Sequence, residues 1–213
     1  MSNGEFWPEE EVRKYTTEMR GVTVTVNFTV EGKQKILCLD NFEKLLRKAY
    51  RIAIIDCECR TRVKRCNAPI DTCIYMNEGA DEQIEKGRGK EVSLKQALDA
   101  IRRAHEAGLI HVTYYDIGGK EPQYICSCCS CCCHSFAAMQ KFGFSDYVIS
   151  SEMIAALDDD KCDDCGLCVD KCHFKARSMV DGCLRYEKEK CFGCGVCVPA
   201  CPNDAISMKN RPD

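Results

Sequence analysis

The stretch KCDDCGLCVDKCHFKA, residues 161–176, returns as KCFGCGVCVPACPNDA, residues 190–205. Cys162, Cys165, Cys168 and Cys172 are spaced C-x2-C-x2-C-x3-C. Cys191, Cys194, Cys197 and Cys201 repeat that spacing, and Pro202 follows the last. Three thiolates so spaced wrap one face of an iron–sulfur cubane, while the fourth reaches away to the other cluster. Zinc sites instead use paired C-x2-C knuckles, which a run of four does not match. The repeat extends beyond the cysteines: Lys161 matches Lys190, Gly166 matches Gly195, Val169 matches Val198, and Ala176 matches Ala205. Glycine lets the loop curl so that backbone N–H groups face cluster sulfurs. One departure stands out, His173 in the place of Pro202, and it reads as a surface or hydrogen-bonding side chain rather than a ligand. Cys183 lies outside both motifs and reads as a small buried residue.

On these residues, positions 155–210 resemble the bacterial-type two-cluster [4Fe–4S] ferredoxins. The resemblance implies that Cys162, Cys165, Cys168 and Cys201 hold one cubane. Cys191, Cys194, Cys197 and Cys172 hold the other, and the chain moves electrons.

Ten more cysteines form two N-terminal groups: Cys57, Cys59, Cys66 and Cys73, then Cys126, Cys128, Cys129, Cys131, Cys132 and Cys133. Their spacing fits no zinc finger, rubredoxin or plant-type ferredoxin. The order C-x-C-R, C, P-x-x-x-C and I-C-x-C-C-x-C-C-C, carried by Cys57, Cys59, Arg60, Cys66, Pro69, Cys73, Ile125 and the Cys126–Cys133 run, resembles a cysteine-rich domain fused to ferredoxin modules in anaerobes. That resemblance implies an iron–sulfur protein of anaerobic redox metabolism and no particular substrate. Three readings of the ten thiols stay open: two separate cubanes, one cluster of higher nuclearity, or one cubane beside a reactive thiol group. A zinc or metallothionein-like store is the remaining one.

Arg51, Arg60, Arg62, Lys64 and Arg65 crowd around the first group, either balancing an anionic cluster or forming an anion site. His134 reads as a hydrogen-bonding neighbour of the cluster, His105 as a partly exposed helical residue, and His111 as a structural residue of a strand. Tyr114 and Tyr115 are expected to give one core and one exposed ring.

Composition decides how so many thiols are used. The 213 residues include 20 cysteines and are 45% hydrophobic, a globular composition. The first twenty residues are polar, with Glu9, Glu10 and Glu11 and no apolar signal-like core, and no later run is long enough to span a bilayer. A reducing, cytoplasmic location is expected, with thiols as metal ligands rather than disulfides. The net charge is −3. Each oxidised four-thiolate cluster adds about −2, so three would bring the chain to about −9. Such acidity disfavours nucleic acid and suits docking on a basic patch of a redox partner. No G-x-G-x-x-G follows a strand, no phosphate loop is present, and four scattered histidines make no Ser–His–Asp arrangement.

Along the chain, residues 1–20 read as an exposed arm or helix. Val22 to Val30 alternate as a strand, Glu31-Gly32-Lys33 turn, and Lys35 to Leu39 return. Asp40 opens a helix with Phe42, Leu45, Leu46 and Ala49 on one face, and Ile52 to Ile55 form a short strand. Gly79 to Lys90 read as a mobile connection. Ser93 caps a helix carrying Leu94, Ala97, Leu98, Ile101 and Ala104, which Gly108 ends. Leu109 to Tyr115 form a strand, Gly118-Gly119 turn, and Tyr124-Ile125 lead into the second cysteine group.

The expected fold is α+β. A cysteine-rich iron–sulfur domain fills 1–135, with its two cysteine groups meeting in space. A helical linker fills 136–157, broken near Gly143, and a two-cluster domain fills 158–213. The expected function is multi-cluster electron transfer with redox enzymes or subunits as partners. The rival is a small-molecule reductase with an unusual catalytic cluster in the N-terminal domain.

Overall fold

Tyr124–Cys128 (β8) organises the N-terminal part of the fold. Successive side chains of a strand point to opposite faces. Ile125 and Ser127 therefore face one way, and Cys126 and Cys128 the other. In the computed structural model, which describes residues 7–18, 23–24, 29–30, 34–37, 40–114, 124–143 and 148–212, β8 lies between Cys73–Met76 (β5) and Ile110–Tyr114 (β7), antiparallel to both. The sheet continues outward from β5 through Ile52–Ile55 (β4) to Gly89–Glu91 (β6). From β7 it continues through Gln34–Leu37 (β3) to Val148–Ile149 (β9). All pairings are antiparallel except β3 with β9.

One face is covered by helices Asp40–Leu46 (α2) and Leu94–Glu106 (α5), whose Phe42, Leu46, Ala97 and Ile101 pack on Ile52, Ile74, Met76 and Ile125. Each fully buried Leu, Ile or Phe contributes about 1.5–3 kcal/mol. The opposite face buries Ile110, Val112 and Cys128 together with Cys133, Phe136 and Val148, and with Cys194 and Val196 from the second C-terminal repeat. The C-terminal segment thus packs directly on the sheet. Helix α5 begins with the Ser93–Gln96 capping box. It ends with Gly108 N–H donating to His105 C=O and Leu109 N–H to Ala104 C=O, a closure that needs the left-handed φ of +80° at Gly108.

Several sequence expectations differ from the structure. Glu9–Glu18 (α1) is helical but not an exposed arm: Trp7 and Val12 are buried, and the helix packs on His134–Phe142 (α6). Residues 79–90 are not a mobile connection. They hold most of helix Asn77–Glu85 (α4) and open β6, with Ala80 and Gln83 buried beneath a charged outer face. Among the described residues, the 136–157 stretch is helical only to Phe142. It then supplies β9 and Met153–Leu157 (β10), which pairs with Ile206–Asn210 (β13). A short apolar run carries no periodicity that separates strand from helix, so the pairing partner decided it. Thr23–Val24 (β1) and Thr29–Val30 (β2) pair with each other, whereas β3 joins β7 and β9.

His105 is buried rather than partly exposed, stacked on His111 with ring centroids 5.5 Å apart. Cys183 is exposed rather than buried, on the hairpin of Arg177–Val180 (β11) and Cys183–Tyr186 (β12) between the repeats. The turns at 31–33 and 118–119, Tyr115 and the Tyr114 side chain lie outside the described residues. Among the described residues, no helix is long and apolar enough to cross a membrane.

Candidate metal centres

The end of β4, the start of β5 and the end of β8 lie side by side, with Ile55 opposite Cys73, Val112 opposite Cys126 and Ile110 opposite Cys128. Helix Glu58–Val63 (α3) starts directly after Cys57 and brings Cys59 to the same place. The two N-terminal cysteine groups therefore meet. Thiol contacts run from Cys57 to Cys59, Cys133, Cys128, Cys126 and Cys73, and back to Cys57, a closed ring of six. Contacts from neighbouring thiols hold Cys57, Cys126 and Cys133 below the usual thiol range, and push Cys59, Cys73 and Cys128 above it.

The other four thiols go elsewhere. Cys66, Cys129, Cys131 and Cys132 gather with their sulfurs all within 4.8 Å of one another. Cys128 and Cys133 join the apolar cluster under the C-terminal repeat. Cys129 and Cys132 join another with Trp7, Val12, Val63, Ala104 and Leu109. The turning run sends Cys128 to the ring and Cys129 to the foursome, and likewise parts Cys133 from Cys132, while Cys131 and Cys132 stay together. The Trp7 indole N–H donates to the Cys132 carbonyl (2.8 Å), and the Arg62 guanidinium lies 4.0 Å over the Trp7 ring. His134 Nδ1 stands 3.4 Å from Cys59 Sγ, with its ring edge-on to Trp7.

Arg60, only 2% exposed, lies between ring and foursome. It donates to the Ser127 carbonyl (2.6 Å) and to Thr72 Oγ1 (2.6 Å), and no carboxylate pairs with it among the described residues. Desolvation opposes its charge, but Cys57, Cys73, Cys129 and Cys128 together raise its pKa. A buried cation is tolerated only beside compensating negative charge, and here thiolates are its counter-ions. The expected basic crowd is otherwise dispersed: Arg51 pairs with Asp81 (2.5 Å) and Arg62 with Glu11 (2.6 Å) in half-exposed bridges.

The C-terminal repeats fold alike. Val169 N–H donates to Gly166 C=O (2.9 Å) as Val198 does to Gly195 (3.0 Å), and both glycines have φ of +77°. Ala176 N–H donates to Cys172 Sγ (3.2 Å), and Ala205 N–H to Cys201 Sγ (3.3 Å). Cys162, Cys165, Cys168 and Cys201 line one small pocket with Leu157 and Ile206. Cys172 instead neighbours Cys191, Cys194 and Cys197. Burial pushes the Cys194 thiol up, and Cys197 to about 11.

Arg177, 3% exposed, stacks 4.3 Å over Tyr186 and sits against Cys168 and Cys197. Its terminal nitrogens find no hydrogen-bond partner among the described oxygens and nitrogens. A buried guanidinium facing thiols, together with N–H groups aimed at sulfur, fits thiolate-ligated iron–sulfur clusters here. The repeats differ at one backbone point. A Cβ on Gly193 (φ +71°) would stand 1.9 Å from Met153 C=O, whereas Asp164 (φ +56°) fills the matching position and accepts from Leu184 N–H (2.7 Å).

His173 joins the two parts. Its Nε2 lies 2.8 Å from the Gly108 carbonyl, which can only accept, so Nε2 carries the proton. Nδ1 meets Ser130 Oγ at 2.9 Å, inside the cysteine run, and Gln140 donates to the His173 carbonyl (2.6 Å). Both ring nitrogens are engaged by oxygen, so His173 is a hydrogen-bonding joint and not a ligand. Phe174 stacks on Phe192 (4.4 Å) beside it.

Trp7, Ser130, Arg177 and Tyr186 were not singled out from the sequence. Trp7 carried one signal, being the only tryptophan. The others had none, because their roles depend on segments distant in the chain.

Family models of the 4Fe-4S binding domain match residues 159–175 and 184–207. A comparison with curated proteins finds no match to this chain. With the repeated thiol loops and their buried arginine, these matches make the C-terminal region a 4Fe–4S-binding region of an iron–sulfur protein.

Proposed function

We propose that this chain is a multi-cluster electron-transfer protein of anaerobic redox metabolism, working in a reducing cytoplasm. Cys162, Cys165, Cys168 and Cys201 hold one cubane, and Cys191, Cys194, Cys197 and Cys172 the other. The six-thiol ring holds a further iron–sulfur centre. Its six thiols exceed the four that one cubane takes, which favours higher nuclearity over a simple cubane. Bound clusters of this kind carry single electrons at potentials tuned by charge, burial and hydrogen bonds to sulfur.

The observation that carries the proposal is the shared apolar core. Cys128 and Cys133 of the ring stand in one buried cluster with Cys194 of the second repeat, packed with Ile110, Val112 and Phe136. The chain's own contribution is to exclude water there and to supply Arg60 and Arg177 as buried counter-charges. Ala176 and Ala205 offer N–H groups to sulfur. Residues 1–135 and 158–213 act as two units joined by 136–157. A small-molecule reductase needs an open iron with a pocket beside it, and burial of Cys128 and Cys133 against the second repeat counts against one. The acidic chain suits docking on basic patches of larger redox enzymes.

Anaerobic reconstitution followed by iron and sulfide counting and EPR tests the proposal. The expected result is iron well above the roughly eight atoms of two cubanes, with the excess and its sulfide lost in Cys133→Ser. About eight irons, all retained in Cys133→Ser, overturns it.

A further inference from the structure

Cys66, Cys129, Cys131 and Cys132 differ from every other thiol group in how tightly they close. Cys66 Sγ lies 3.7 Å from Cys129 Sγ and 3.9 Å from Cys132 Sγ, and Cys131 Sγ lies 3.7 Å from Cys132 Sγ. All four sulfurs fall within 4.8 Å of one another. A metal ion with bonds of about 2.3 Å to sulfur places tetrahedral thiolates about 3.8 Å apart. Thiolates on a cubane are each carried by a different iron and stand farther apart. The molecule supplies its own control: among the described residues, no three of the eight C-terminal cysteines close to within that 4.8 Å.

We infer that Cys66, Cys129, Cys131 and Cys132 form a closed tetrathiolate site for a single divalent metal ion, Zn2+ or Fe2+, separate from the cluster ligands. Four sulfurs at this spacing complete a tetrahedron and leave no open position, the pattern of a structural rather than a catalytic site. Backbone N–H groups serve the sulfurs, that of Arg65 on Cys132 and that of Cys132 on Cys129. Four thiolates and a divalent ion leave a net −2, and Arg60 lies against Cys129 to offset part of it. Trp7, Val63 and Leu109 shield the site, while Cys66 and Cys131 remain partly accessible as an entry.

The site ties the segment after α3 to the run after β8. Helix α3 and its N-terminal end carry Cys57 and Cys59 to the ring, and β8 and the run after it carry Cys128 and Cys133. Metal binding closes these two segments on each other and leaves the ring's own ligands unchanged. It releases the protons still on the four thiols, so affinity falls in acid. None of this rests on the cluster reading, because a mononuclear ion brings no inorganic sulfide.

The test uses the full chain, purified anaerobically from cells supplied with iron and zinc. Metal and acid-labile sulfide are counted, and the bound metals are read by zinc-edge X-ray absorption and Mössbauer spectroscopy. The expected result is one metal ion per chain without matching sulfide, surrounded by four sulfurs at about 2.3 Å with no metal neighbour. Zinc-edge scattering identifies it as zinc, and a high-spin tetrahedral iron signal as iron. Cys66→Ser and Cys131→Ser lose this ion and keep their sulfide. Loss of iron and sulfide together in Cys66→Ser overturns the site in favour of a cluster. Disulfides among these four cysteines in the intact protein overturn it too. If the variants do not fold, the wild-type spectra decide: metal–metal scattering for every bound metal refutes the inference.

Discussion

The two cysteine-rich regions solve one electrostatic problem by different routes. The C-terminal one draws its eight thiols from a single stretch, residues 162–201, folded twice in the same way. The N-terminal one draws ten thiols from β5, β8, α3 and the segments that follow β4, α3 and β8, gathered only because those strands are neighbours. Each region nonetheless buries one arginine whose counter-ions are thiols. Spacing along the chain suffices to build a site of the first kind. Topology is required for the second, and it divides the thiols into six and four.

The arginines test that comparison hardest. Arg60→Met removes a buried cation and two hydrogen bonds from between two thiol groups, and is expected to cost about 3–5 kcal/mol. Arg177→Met should cost less, about 1–2 kcal/mol, because backbone N–H groups still serve the C-terminal sulfurs. Urea unfolding of the anaerobic, metal-loaded proteins measures both, and the reverse order breaks the comparison.

Next comes the one backbone point where the repeats diverge. Gly193→Ala forces a Cβ into the Met153 carbonyl at positive φ and should cost about 2–4 kcal/mol. Gly182→Ala, at φ +80° but in open space, should cost only about 1–2 kcal/mol. Equal costs in the same unfolding assay would show that β10 does not press on the second loop.

The joint between the regions is the third target. His173→Pro restores the residue of the other repeat and deletes the bonds to Gly108 and Ser130, for an expected loss of about 1–3 kcal/mol. Metal and sulfide content should be unchanged. Lost iron would mean that His173 acts on a cluster and not on the joint.

The most gradual effect is a pH dependence. Burial, aided by neighbouring His105, lowers the His111 pKa from 6.5 to about 3. The unfolded chain therefore binds a proton there that the folded chain refuses. Stability on this account is complete above 6.5 and falls as pH drops toward 3, by up to about 1.4 kcal/mol per unit. In His111→Gln the slope of unfolding free energy between pH 6.5 and 5 should be shallower; an identical slope refutes the assignment.

Much of this architecture was legible in the residues. The Ser93–Gln96 cap, the Gly108 stop and the Ile52–Ile55 strand follow from capping chemistry, glycine freedom and a short apolar run. Two other elements misled. Met153–Leu157 reads as helix until Ile206–Asn210 pairs with it, and Gly79–Lys90 reads as loop because its charges hide the buried Ala80 and Gln83. His105 looked exposed because its cover, the His111 ring, comes from the neighbouring strand β7.

By itself the sequence determined that the C-terminal region binds 4Fe–4S clusters, because a curled loop presents its thiols by local spacing alone. It also placed ten more thiols in two N-terminal groups. Only the tertiary structure decided how those ten divide. A strand sends alternate residues to opposite faces, and the turning run sends Cys128 and Cys133 to one side and Cys129, Cys131 and Cys132 to the other. Which side holds six thiols and which four then depends on α1, α3 and the C-terminal repeat packing around them.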